Sequence, residues 1–502
     1  MAKLVAGTGT GAATGSGAST STIISKRHPN YSSWLGKWEF FLESYVGGID
    51  YANNNLFKYF KEGDTEFSDR KARSYRENHT KRVVDLINTY LFKEDAVRKT
   101  DNKYLTEFTS NFDGSGKTVN RFMKNASQWA SVLGRIYIVV DKAVLPDDQI
   151  TNTQADNLNV LPYCYTIYPQ DVLDIVFDDS GKVAWALIRE FIRENDDNPY
   201  TASDEIKEQY RLWEKGQWTL FNDAGAAINS GETKIDVVPI VIIDNEEQED
   251  LSGQSLIGDI AYIDRAIFNN WSRLDTIVCD QTFSQLIFPV EGLPADVITD
   301  ENLRKQFLTL ATNRIILYSA QAGSPPQFIS PDAGQATFIL TMLEKQTKQL
   351  YATIGLQAET GTEVHENSGV AKSYDFDKLN KLLATKADSL EQGEKEIYEI
   401  ATKWMNISAE IEVDYPDEFD VKSLTDEIAV AQELALLNIS STFMQEIHKN
   451  IAHKALPKVE TETMTKITEE IEANAKADGE AAKAAFNTMN SPTKRDNKED
   501  ET

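Results

Sequence analysis

Residues 256–278 read LIGDIAYIDRAIFNNWSRLDTIV, and the placing of their apolar side chains decides the architecture. Leu256, Ile260, Ile263, Ile267, Trp271, Leu274 and Val278 follow at spacings of 4, 3, 4, 4, 3 and 4. An α-helix turns every ~3.6 residues, so this pattern lays one unbroken apolar stripe along a helix of roughly seven turns. A second amphipathic helix is expected over 334–354, carrying Ile339, Leu343, Leu350 and Ile354. Between the two lie an apolar strand at Leu286 to Val290, a helix at Ala295 to Leu310 and a strand at Arg314 to Tyr318. Pro325, Pro326 and Pro331 close this insert. The organising feature is therefore a pair of long helices bracketing a small α/β segment.

Working outward to the N-terminus, residues 134–243 change period. Short strands are expected at Arg135 to Val140, Tyr163 to Tyr168, Val172 to Phe177, Val183 to Ile192, Ile206 to Trp213, Trp218 to Phe221 and Val238 to Ile243. With no helices interposed, they read as an antiparallel sheet region. Before them, helices are expected at Tyr31 to Val46, at Thr65 to Phe92 and at Thr118 to Leu133. The first carries Trp34, Trp38, Phe41 and Tyr45 in step, and Gly47-Gly48 is a natural stop. His79 falls on the apolar face of the second, where a packing or capping role is expected of it. Residues 1–30 are expected to form a flexible arm, rich in Gly, Ser and Thr and unlike a signal peptide.

Toward the C-terminus a polar segment, Gly355 to Ser368, precedes a helix from Gly369 to Met405. Leu379, Leu383, Leu390, Ile397, Ile400 and Trp404 share one face of that helix, and Gly393 is expected to mark a bend. A strand at Ile411 to Tyr415 follows. Ser423, with Asp426 as a first-turn acid, opens a helical region reaching His453, and a charged Ala-rich helix covers Lys458 to Phe486. Residues 487–502 are expected to be a disordered tail. The fold class is α+β.

The 502 residues are 41% apolar and 26% charged, ordinary for a globular protein. The longest apolar runs, Ile136 to Val140 and Val237 to Ile243, fall far short of the roughly 20 residues that cross a bilayer, so no membrane partner is expected. Cys164 and Cys279 are expected to be free thiols. Lys and Arg total 51 against 79 Asp and Glu, a net charge of −28. A protein that grips DNA by its phosphates shows the opposite balance.

Chemistry-bearing motifs are few. Gly114-Ser115-Gly116-Lys117-Thr118, with Asp141 ending a downstream apolar strand, imitates a phosphate-binding loop. Such a loop needs Gly, four residues, then Gly-Lys-Ser/Thr, and here the first position is Asn111. A loop tip capping the next helix is the plainer expectation. His448 and His453 lie five apart and miss the i, i+4 spacing of a helical metal pair, while His365-Glu366 lacks a second His at 369. No catalytic, cofactor or metal site is expected. Between Lys348 and Lys372 there is no Lys or Arg, whereas Glu359, Glu363 and Glu366 are present; composition alone makes Gly355 to Ser368 an acidic surface loop.

The order of elements, together with short words, resembles the portal proteins of tailed bacteriophages. Trp38-Glu39-Phe40-Phe41 through Tyr45-Val46-Gly47-Gly48 resembles the N-terminal portion of one portal subgroup. Arg70 to Asn78, with Arg73, Tyr75 and Asn78, is similar to the next block, as is Leu133-Gly134-Arg135 running into Asp141. Asn367-Ser368-Gly369-Val370-Ala371-Lys372 resembles the Ser-Gly-x-Ala segment that opens the long helix. The match spans roughly 31 to 455; the Gly- and Ser-rich arm has no counterpart.

The resemblance implies a portal-like fold: a wing of helices and sheet at 31–254, stem helices at 255–284 and 334–354, and a small α/β clip at 285–333. It further implies a tunnel loop at 355–368, a long wing helix and strand at 369–422, and a helical crown at 423–486. The implied role is a structural subunit of a ring, expected to be a dodecamer, at one capsid vertex in the virion, assembled in the host cytoplasm. Implied partners are double-stranded DNA passing through the channel, the terminase large subunit, major capsid and scaffolding proteins, and head-completion or neck proteins. Gln357, Glu359, Thr360, Glu363, His365, Glu366 and Asn367 would then face DNA. An acidic loop repels phosphate, which reconciles DNA handling with the charge of −28. The rival readings are a nucleotide-driven packaging ATPase built on Lys117 and Asp141, and a capsid adaptor binding proteins alone.

Overall fold

The computed structural model describes residues 23–143, 161–193, 198–246, 252–281, 285–290, 293, 299–302, 315–318, 325–329, 334–356, 369–417, 419, 441–456 and 463–474. It divides into two compact units, 1–419 and 420–502.

In the first unit, helices α1 (Tyr31–Val46), α2 (Gly48–Asn55), α3 (Asp64–Arg73) and α4 (His79–Leu91) open the chain. Two expectations are corrected here. Gly47 does end α1, its N–H bonding Glu43 O at 2.8 Å, but Gly48 starts a new helix instead of a loop. The single helix expected over 65–92 is two: α3 stops at Arg73, and Asn78 caps α4 by accepting from Lys81 N at 2.9 Å. The cap lets the chain turn between them, which periodicity alone does not register. A short strand β1 (Val97–Lys99) and helix α5 (Lys103–Ser110), neither anticipated, precede α6 (Val119–Leu133).

The expected sheet region is two sheets. β2 (Arg135–Asp141) lies between β3 (Tyr163–Ile167) and β9 (Ile240–Asp244), antiparallel to both. β4 (Val172–Phe177), β5 (Val183–Arg193), β6 (Ile206–Glu214), β7 (Gln217–Asn222) and β8 (Ala227–Glu232) form a meander in sequence order. β8 escaped the sequence reading because Ala-Ile-Asn-Ser-Gly-Glu lacks apolar alternation. β2 is buried along its whole length, and its alternation divides two cores. Ile136, Ile138 and Val140 join the core of α1, α4 and α6, whereas Tyr137 and Val139 join the layer shared with the meander.

The chain then leaves the sheets for the quoted stretch. α7 (Ile260–Gln281) leads to β10 (Gln285–Pro289), which pairs in parallel with β11 (Ile315–Tyr318) and antiparallel with β12 (Gln327–Ile329). The helix expected at 295–310 lies almost wholly outside the described residues. α8 (Gly334–Thr353) returns, and α9 (Gly369–Met405) runs back across the sheet. Gly393 is also a point of contact. α9 is one helix of 37 residues, and a Cβ at 393 would stand 2.0 Å from Ile243 Cδ1 on β9. A side chain at 393 would require the Ile243 methyl to shift, while the strand backbone at Ile242 O stands 3.8 Å away. β13 (Glu412–Asp414) pairs with β1.

The second unit contains α10 (Ser441–Ala455) and a helical stretch at 463–474, tied by Lys449 Nζ to Glu472 Oε1 at 2.9 Å. The expected helix start at Ser423 and Asp426 lies outside the described residues. Cys164 is buried and Cys279 exposed, both free thiols. Among the described residues no helix is long and apolar enough to cross a membrane.

Candidate functional site: a braced helix pair

The geometry that stands out is at the base of α7. Arg70, Arg73 and Arg76 recur every third residue and each turns toward that helix. Arg70 is 1% exposed and fully engaged. Its Nε and Nη2 grip Glu62 at 2.7 and 2.8 Å, Nη1 donates to Ser272 Oγ at 2.9 Å, and Nη2 also reaches Phe57 O at 2.7 Å. Arg73 pairs with Asp275 at 3.4 Å. Arg76 pairs with Asp264, a carboxylate with no exposure that also accepts from Thr80 N at 3.2 Å and Thr80 Oγ1 at 2.6 Å. Two of these three ion pairs are buried, so removing one member strands a charge in a dry site. Tyr75 packs on Trp271 at 6.1 Å, and Asn78 donates to Tyr45 O at 3.0 Å. The word Arg70 to Asn78 is thus the set of bolts that holds α7.

The same contacts orient the pair. Thr80 touches Asp264 near the start of α7, and the adjoining His79 meets the Tyr351 hydroxyl at 3.2 Å near the end of α8. The two helices therefore run antiparallel, with Asn270 bonding Gln346 at 3.0 Å midway and the β10–β12 sheet at the far end. His79 is buried and packed edge-on against the Tyr351 ring, the structural role expected of it.

The lead-in to α7 is fixed as firmly. Gly134 and Gly253 both have positive φ, and a Cβ on Gly134 would lie 2.8 Å from the Gly253 carbonyl. Arg135 forks onto Asp244, Leu256 N bonds Ser131 O at 3.0 Å, and Trp38 Nε1 reaches Ser252 O at 3.3 Å. The words around Trp38 and Leu133-Gly134-Arg135 converge on this junction. Beneath it, Lys386 of α9 is 3% exposed and donates to Ser131 Oγ at 2.8 Å and to Asn245 Oδ1. Burial pulls its pKa down to about 7, with Glu246 opposing. A further buried charge, Glu394 of α9, is gripped by Arg98 and by the Tyr415 hydroxyl at 2.6 Å.

Gln357, Glu359, Thr360, Glu363, His365, Glu366 and Asn367 all lie outside the described residues. Their flanks are described. Leu356 is buried, with its N–H on Tyr351 O at 2.9 Å, and a Cβ at Gly355 would sit 3.6 Å from Lys378 Cβ on α9.

The phosphate-loop imitation is occupied by its own side chains. Asp113 Oδ1 accepts from Ser115 N at 2.9 Å and Lys117 N at 3.1 Å, Asn111 Oδ1 accepts from Gly116 N at 2.6 Å, and Lys117 Nζ pairs with Asp113 at 2.8 Å. Burial raises the Asp113 pKa, yet the Lys117 and Ser115 hydrogen bonds outweigh it and hold the carboxyl well below its usual range. Amides and ammonium that would cradle phosphate are thus committed to the Asp113 carboxylate and the Asn111 amide oxygen. Asp141 is buried, which raises its pKa, and it receives Tyr163 OH at 3.2 Å. Among the described residues no group of His, Cys, Asp and Glu is arranged to hold a metal ion.

No protein-family model and no curated protein matches this chain. Solved structures that contain similar chains include two of gene transfer agent particles. One is the virion of a native gene transfer agent particle, with 10% identity and a TM-score of 0.40 over 80% of this chain and 94% of that one. The other is the neck of an empty gene transfer agent particle computed with C6 symmetry, with 12% identity and a TM-score of 0.38 over 78% and 93%. Both scores are too low to carry the assignment, so the function must be read from the residues themselves.

Sequence reasoning missed Arg76–Asp264, Lys386 and Glu394 as a class. The signal was present: Asp264 follows Ile260 by four and precedes Ile267 by three, so it falls on the apolar stripe. Lys386 and Glu394 occupy stripe positions of α9 between Leu383, Leu390 and Ile397 in the same way. A charge on an apolar stripe points to a buried polar contact.

Proposed function

We propose that this chain is a portal subunit of a tailed bacteriophage, a structural protein that forms a ring at one capsid vertex and lets DNA pass during packaging and ejection. The observation that carries the reading is the antiparallel pair α7–α8, held by the buried Arg76–Asp264 ion pair and the Arg70–Ser272 hydrogen bond and bearing a small sheet at its far end. A stiff limb with a compact tip suits a stem with a clip where the terminase and later the neck proteins dock. The N-terminal helices, both sheets and α9 would be the wing, and the region after 423 the crown. The role calls for no catalysis, in keeping with the self-occupied loop at 113–117.

The acidic segment 355–368 sits where the chain passes from α8 to α9, and in this reading it lines the channel. Carboxylates repel the phosphates of moving DNA, and salt confines that repulsion to about 8 Å. The channel is then slippery and not adhesive, and a charge of −28 is an asset.

Negative-stain images of the purified protein are expected to show rings with a central hole. A strictly monomeric particle in purified protein and virions alike would overturn the reading. Glu359→Lys with Glu363→Lys is expected to slow DNA passage and shorten the packaged length; unchanged packaging kinetics at low salt would remove the segment from the channel.

A further inference from the structure

Lys386 of α9 joins two residues that in turn hold the lead-in to α7. Its amine donates to Ser131 Oγ at 2.8 Å and to Asn245 Oδ1. Ser131 O accepts from Leu256 N at 3.0 Å, and Asn245 Nδ2 donates to Gln254 O at 2.9 Å. Ser255 Oγ adds a bond to Val132 O at 2.6 Å, and Asn245 N one to Gly134 O at 2.9 Å. Residues 254–256 are thus pinned by one network whose innermost member belongs to α9. They lie outside any helix or strand. A stretch held mainly by side-chain bonds opens more readily than a packed helix or sheet.

The site suits a neutral amine and not an ammonium. Lys386 is 3% exposed. Ser131 Oγ itself donates to Ser127 O at 2.7 Å, and the Asn245 amide nitrogen is taken by Gln254, so each offers Lys386 a lone pair and no charge. An ammonium brings three donors and a full charge into this dry space. The ionisable groups around it answer that charge poorly. On β2 and β9, Arg135 and Asp244 are forked together. On α4, which also packs on α9, Lys81 pairs with Asp85 and Arg82 lies over the Tyr351 ring. One turn either way on α9 stand Leu382, Leu383, Ser389 and Leu390. Burial drives the amine toward its neutral form, and Glu246, exposed past the end of β9, opposes this in part.

We propose that Lys386 is a proton-operated latch: neutral, it ties α9 to the lead-in of α7, and on taking a proton from water it leaves its two acceptors for solvent and frees residues 252–258. The latch requires nothing of the portal reading. Opening takes up one proton, so it should rise about tenfold for each pH unit lost from 10.5 to about 7 and level off below.

Hydrogen–deuterium exchange of the full chain, read by mass spectrometry and corrected for the intrinsic effect of pH, tests this. Peptides covering Asn245 and residues 252–258 should be less protected than those of the meander strands β5 to β7. Between about pH 9 and about pH 7 they should lose protection about tenfold or more. Lys386→Met has no proton to bind and should keep the same protection at both pH values. Lys386→Gln, uncharged but able to hydrogen-bond, should do the same and serves if the methionine variant folds poorly. A lead-in in the parent that is equally protected at both pH values would overturn the latch. So would a loss of the same size in the parent and the folded variants. If the lead-in exchanges as slowly as the meander, its opening is global unfolding, and the latch is again wrong.

Discussion

α7 and α8 lie side by side, are 22 and 20 residues long, and use polarity in opposite senses. α7 turns polar groups inward: Asp264, Asn269, Asn270 and Ser272 are all buried. α8 buries Leu343, Leu350 and Tyr351 yet leaves Phe338, Leu340 and Met342 in the open. The inward carboxylate of α7 is tolerable because Arg76 and Thr80 meet it. The outward apolar groups of α8 have no such answer among the described residues. The difference teaches that α7 spends its polar groups on contacts inside the subunit, whereas α8 keeps more of its large apolar side chains exposed, Tyr262 and Val278 being the open ones of α7.

The largest effect should come from breaking the finished side. Asp264→Ala strands the Arg76 guanidinium in a buried site and should cost about 3–5 kcal/mol in chemical denaturation. Asp264→Leu combined with Arg76→Met removes both charges and should recover most of that loss. If the single change costs less than about 1 kcal/mol, α7 is not held by this pair and the contrast with α8 collapses.

Lys386 sharpens the contrast, being a buried amine that no carboxylate meets directly among the described residues. Its folded pKa, about 7, lies below the ordinary 10.5, so from pH 10.5 down to 7 the unfolded chain holds the extra proton. Stability contributed by this site is thus lost as pH falls through that window, and the loss is complete below about 7. Lys386→Met should therefore be more stable than the parent by about 1–4 kcal/mol at pH 6, with the gap closing as pH approaches 10.5. A gap that stays constant with pH would mean the lysine is not buried as a free amine.

The smallest effect is expected on the open side. Phe338→Ser, measured on the monomeric chain, should change stability by no more than about 0.5 kcal/mol. It should nevertheless weaken self-association in sedimentation runs. A large loss of monomer stability would show that α8 is completed within its own subunit, and the contrast with α7 would be wrong.

Much of this was legible beforehand. Apolar periodicity placed α7, α8 and α9 and most of the strands of residues 134–243, because burial of one face imposes its period on the residues. Breaks that depend on side-chain capping were not legible: Asn78 ending the turn between α3 and α4 resembles any other asparagine in a helical window. β1, three residues long, exists by pairing with β13 across 313 or more residues of chain and carries no local signature, whereas β13 falls inside the strand expected at Ile411 to Tyr415.

By itself the sequence determined the helix pair, the antiparallel strands, the acidic segment and the failure of the phosphate-loop pattern, all of them matters of local spacing. Tertiary structure alone decided that Asp264, Lys386 and Glu394 are interior groups with distinct partners and that Gly393 is a point of contact. Those facts depend on which distant residues share a few ångströms, and a linear pattern does not record that distance.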